Sequence, residues 1–170
     1  VYSLQYLGPP YVWGSQLLGD NISIASTNAA AIASGVVYWM GVDKFYVYDG
    51  RVQTLRCDLR NHIFSNINQG QNLQFFAGTN EGFNEVWWFY PSANSNVIDR
   101  YVIYNYLEKI WYYGTLGRTA WLDSGLLDFP VGPVRGQPHC AAVRHPAWVA
   151  IPPIALPIRQ RWSCRSRSAT

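Results

Sequence analysis

Glu85-Val86-Trp87-Trp88-Phe89-Tyr90-Pro91 is followed by the polar run Ser92-Ala93-Asn94-Ser95-Asn96 and then by Ile98-Asp99-Arg100-Tyr101-Val102-Ile103-Tyr104. Short Ser and Asn side chains hydrogen-bond to nearby backbone and so favour turns. Two β-rich runs around such a cluster predict an antiparallel hairpin, with Ile110-Trp111-Tyr112-Tyr113 as a third strand. A strand with one wet face alternates apolar and polar residues. Val86 to Tyr90 do not alternate. Both faces of that strand are therefore expected to be covered, as when one sheet stacks on another.

Upstream, Gly8-Pro9-Pro10 and Gly19-Asp20-Asn21 are turn signals, and Ile22-Ser23-Ile24 alternates as a strand would. Ala29 to Ala33 fits a helical turn or a strand equally. Val36 to Met40 and Phe45 to Tyr48 read as paired strands about a turn at Gly41-Val42-Asp43-Lys44. Asp49-Gly50 suggests a type I′ hairpin turn, and Arg51 to Leu55 completes a three-stranded meander. Leu59, Ile63 and Ile67 lie four apart, which predicts one short helix over 58–68, capped by Asp58 and stopped at Asn68-Gln69-Gly70, crossing from one sheet to the next. Asn72 to Ala77 reads as the following strand, and Gly78 to Asn84 as a polar turn.

The order Phe45-Tyr46-Val47-Tyr48-Asp49 is echoed by Tyr101-Val102-Ile103-Tyr104-Asn105. Such an echo fits four-stranded antiparallel blades of a β-propeller, although any Tyr-rich meander can produce one by chance. The fold class expected is all-β, with one helix between sheets. A blade takes about 40–50 residues and closure needs at least four. Residues 1–130 supply three at most, so they read as a partial propeller belonging to a larger assembly.

Aromatic residues make up 16 % of the 170 and charged residues 14 %, against about a quarter charged in ordinary domains. Little surface is left for water, which points to faces occupied by neighbours. No run reaches the length of about 18 apolar residues that a spanning helix needs, and no membrane partner is expected. The chain begins at Val1 with no secretory signal in view, and either a processed chain or a piece of something longer is expected. Residues 1–130 carry seven Lys and Arg against ten acids, a balance of −3, whereas residues 131–170 carry six Arg and no acid. That second region also holds six of the ten prolines. It is read as a Pro/Arg-rich tail, irregular or from a shifted reading frame, in preference to a phosphate-binding arm.

No catalytic, cofactor or metal residue is assigned. Asp43, Asp49, Glu81, Glu85 and Asp99 sit mostly where turns want Asx residues, and Asp99-Arg100 reads as a strand-end ion pair. His139, Cys140, His145 and Cys164 match no zinc spacing, and three cysteines give no disulfide framework. Cys57 reads as a buried thiol. Trp87, Trp88, Trp111, Tyr112, Tyr113 and Trp121 could stack on sugars. Consecutive Trp87 and Trp88 point to opposite faces of a strand, however, so packing is the preferred reading.

Val37 to Gly41, Phe45 to Gly50, Phe83 to Pro91, Asp99 to Tyr106 and Arg118 to Asp123 together resemble tail proteins of short-tailed bacteriophages: the tail nozzle, tubular tail B and DNA-stabilisation proteins. The resemblance runs from about Tyr2 to Val131 and stops there. It implies a β-propeller and a structural, non-enzymatic virion part in the phage tail. It further implies a six-fold ring of copies, below the portal and adaptor and beside the tail fibres, through which DNA passes without specific binding. No cofactor is implied. The alternative is a carbohydrate-binding or glycan-cleaving propeller of a phage receptor-binding apparatus.

Overall fold

The computed structural model describes residues 1–123, 131–133 and the backbone of 140–142. β1 (Tyr2–Tyr6) and β2 (Trp13–Leu17) form a hairpin. β3 (Ala30–Ala33), β4 (Val36–Met40), β5 (Phe45–Tyr48) and β6 (Val52–Leu55) follow as a four-stranded antiparallel meander. Helix α1 (Arg60–Phe64) and the 3-10 helix Gln69–Gln74 lead into a second meander, β7 (Phe76–Asn80), β8 (Glu85–Tyr90), β9 (Arg100–Asn105) and β10 (Ile110–Thr115). β11 (Val131–Pro133) pairs with β12 (Cys140–Ala142). The fold is all-β, built on two blade-like antiparallel sheets.

Every residue of β8 is buried. Val86, Trp88 and Tyr90 face the first sheet and join Tyr38, Met40 and Phe45 in one core, while Trp87 and Phe89 form a second core on the opposite face. The missing alternation therefore has its expected cause: one sheet covers one face, and the chain beyond β10 covers the other. Leu59, Ile63 and Ile67 all pack into the first core, so the helical spacing identified the correct face. The sheets also join through backbone, where Asn28 pairs with Phe76 and accepts a hydrogen bond from the Ala77 N–H at 2.7 Å.

The echoed motifs are the third strands, β5 and β9, of their sheets. Phe45 and Val47 point toward the second sheet. Their counterparts Tyr101 and Ile103 point away from the first, toward the segment that follows. Each third strand thus directs the same positions at the next part of the chain, as stacked repeats do.

Several expectations are corrected. α1 spans five residues and has Leu59, not Asp58, at its N-cap, with no side-chain cap; Asp58 lies instead beside Arg56 at 3.4 Å on the surface. Residues 72–75 are not strand. Asn68 caps a 3-10 turn by accepting the Gly70 N–H, the Gln71 and Phe75 N–H groups turn back to the Asn68 and Asn72 carbonyls instead of entering a ladder, and the Gln74 side-chain amide donates to Gln71 and to the Asn96 carbonyl. Gly78 belongs to β7, and a 3-10 turn, Glu81–Phe83, precedes left-handed Asn84. Ile22-Ser23-Ile24 is not a strand; the Ser23 carbonyl and hydroxyl accept the Trp39 indole N–H and the Val42 N–H. Gly50 alone takes positive φ at its turn, and the Tyr48–Val52 pairing leaves a three-residue loop, which excludes type I′. The three-stranded meander gains β3 as a fourth strand.

Residues 131–133 are not irregular: Val131 and Leu122 exchange two backbone hydrogen bonds of 2.9 Å. Apart from the backbone of 140–142, the rest of the Pro/Arg-rich region lies outside the described residues.

Candidate interaction surface

The two ends of the sheet stack differ. At the far face of the second sheet, Trp87 stacks on Tyr101 at 5.0 Å and on Trp121 at 4.8 Å. Trp121 lies over Gly78 and donates its indole N–H to the Thr79 carbonyl at 2.7 Å. Asp123 accepts from the Thr79 hydroxyl at 2.9 Å and from the Glu81 N–H at 3.1 Å. That end is closed.

At the opposite end Trp39 and Tyr46 are buried, and the hairpin beside them is what exposes apolar surface. Trp39 stacks on Tyr46 at 5.3 Å on the outer face of the first sheet. The base of the β1–β2 hairpin lies alongside, and an apolar groove of about 360 Å³ separates them, lined by Val1, Tyr2, Leu18, Ile22, Val37 and Trp39. Pairing of Tyr2 with Leu17, Leu4 with Ser15 and Tyr6 with Trp13 puts the apolar side chains of the hairpin on one face. Ser3, Gln5 and Gln16 take the other. The apolar face points to water: Tyr2 is 67 % exposed, Leu4 71 %, Tyr6 62 %, Trp13 65 % and Leu17 53 %. The alternation Tyr2-Ser3-Leu4-Gln5-Tyr6 was the signal for this strand, and the turn-based reading of residues 1–34 passed over it.

The acids do not converge. Asp43 pairs with Arg60 at 3.0 Å, and Asp49 accepts from Gln53. Asp99 does not bind Arg100; both its oxygens accept from Ser92, N–H and hydroxyl, at 2.7 Å, while Arg100 Nε is buried without a hydrogen-bond partner. Glu85 is not a turn residue. It is buried in β8 and accepts from Asn80 and from the Trp87 indole at 3.0 Å. Arg118 is buried, and burial lowers its pKa. Burial also pushes the half-buried Cys57 thiol up to about 11, which makes it a poor nucleophile, and the Tyr90 hydroxyl up to about 12.

Among the aromatics weighed as a platform, Trp87 and Trp88 are buried on opposite faces and Trp111 packs against Phe45 at 4.7 Å. Tyr112 and Tyr113 are exposed on β10, where Tyr113 contacts His62 at 4.5 Å. Among the described residues, no three His, Cys, Asp or Glu side chains gather as metal ligands. The side chains of His139, Cys140, His145 and Cys164 lie outside them. No known family model matches the chain, and no curated protein is significantly similar to it.

Proposed function

We propose that the chain is a structural part of a phage tail, contributing propeller-type sheets to the ring wall of a nozzle or hub through which DNA leaves. The observation that carries this is the stack itself: two blade-like sheets joined over an aromatic core, with a hairpin beside the first that exposes an apolar face. A wall under load needs stiff contacts between units, and large aromatic faces supply them at low entropic cost. The balance of −3 over residues 1–130 suits a conduit that must not grip phosphates. The chain acts by assembling and catalyses no reaction.

Electron cryo-microscopy of the virion tests this. Density for the two stacked sheets is expected in a ring around the portal–tail axis. Placement far from that axis rejects the proposal.

A further inference from the structure

The apolar face of the β1–β2 hairpin has an occupant that the chain itself can supply. We infer that two copies of this chain pack these faces against each other, hairpin to hairpin. A two-stranded hairpin is marginal alone in water, and this one exposes Tyr2, Leu4, Tyr6, Trp13 and Leu17 together.

Charge permits a second copy. Residues 1–19 contain no Lys, Arg, Asp, Glu or His, so beyond the amino group of Val1 nothing in the hairpin repels an identical surface. Area agrees. Taking about 150–250 Å² for each of the three aromatic side chains, less for the two leucines, and scaling by exposure, the five present roughly 600 Å² per chain, so two copies bury at most about 1,200 Å². That reaches the range of about 1,200–2,000 Å² for stable interfaces, and exposed Tyr11 and Val12 lie beside the face at the hairpin tip.

The contact sets its own stoichiometry. Both copies use the same face, so the pairing is satisfied once it forms and does not propagate head to tail. Such a self-complementary contact gives a two-fold dimer. This contact does not rest on the ring reading, which requires two unlike surfaces.

The experiment is sedimentation velocity of the full 170-residue chain over a concentration range. A species of twice the 19.3 kDa monomer is expected. Leu4→Glu sets a charge at the middle of the buried face and should weaken dimerisation about 100-fold or more. Gln5→Glu, on the polar face, should leave the dimer intact. Near-UV circular dichroism establishes that both variants keep the stacked tryptophans. A monomer throughout overturns the inference, as does a dimer indifferent to Leu4→Glu. A hexamer-sized species also overturns it, while favouring the ring reading.

Discussion

The indole N–H of Trp88 in β8 donates to the main-chain carbonyl of Ala29 at 3.1 Å, joining residues 59 apart in the chain. Trp111 in β10 makes the matching bond to the Arg56 carbonyl at 2.9 Å. The second sheet is thus fastened to the first just before β3 and just after β6. Trp88→Phe removes one of the two donors to the Ala29 carbonyl, which keeps the Met40 N–H at 3.0 Å, and opens a partial cavity; it should cost about 2–4 kcal/mol. Trp111→Phe, at a wetter position, should cost about 1 kcal/mol. Urea unfolding monitored by circular dichroism measures both. Equal midpoints would rule out unequal fastenings.

Gly78 has no side chain because Trp121 occupies the space; an added Cβ would lie 2.3 Å from the indole Cδ1. Gly78→Ala should displace Trp121, red-shift its fluorescence and cost about 1–3 kcal/mol. At Gly82 no atom lies within 4 Å of an added Cβ, so Gly82→Ala should stay within about 0.5 kcal/mol. An unshifted spectrum in Gly78→Ala would contradict the seat described.

Glu85 holds two buried donors, Asn80 Nδ2 and Trp87 Nε1. Glu85→Leu strands both and should lower stability by about 2–4 kcal/mol. Glu85→Gln keeps one acceptor oxygen and should lose less. Thermal melts of the two variants give the order, and a reversed order would refute it.

Alkaline pH should weaken the fold in two stages. Burial raises Cys57 to about 11 and Tyr90 to about 12 in the folded chain, against 9.0 and 10.0 unperturbed. Between each pair of values the unfolded chain has lost a proton that the folded chain keeps, so unfolding gains as pH rises. Stability should hold to about pH 9 and then fall, the buried Tyr90 accounting for about 2–3 kcal/mol by pH 12. Denaturation of Tyr90→Phe from pH 8 to 12 should show a shallower loss above pH 10. Parallel curves for variant and parent would exclude Tyr90 as the cause.

Much of the fold was legible where side chains alone decide it. Val86 to Tyr90 announce a strand with two dry faces, and the four-residue spacing of Leu59, Ile63 and Ile67 finds the packed side of α1. What escaped depends on polar atoms meeting at a distance. Leu73 and Phe75 resemble a strand, yet the Phe75 N–H turns back to the Asn72 carbonyl while the Gln74 side chain ties the turn to the Asn96 carbonyl. Ile22-Ser23-Ile24 alternates like one, yet Ser23 spends its acceptors on Trp39 and Val42. Glu85 looks like a turn acid because its donors, Asn80 and the Trp87 indole, meet it only once the sheet has formed. The hairpin face was written in the plain alternation of Tyr2, Leu4 and Tyr6 but was masked by the turn residues around it.

The fastenings by Trp88 and Trp111 bear on how the molecule comes apart. Each sheet supplies half of the core wall that keeps the other dry, and the short crossover through α1 contributes Ile63 to the same interior. Melting either meander exposes its mate, so the pair should unravel in a single cooperative step. A protease cut within 60–64 would not release two surviving halves but commit the whole stack to digestion.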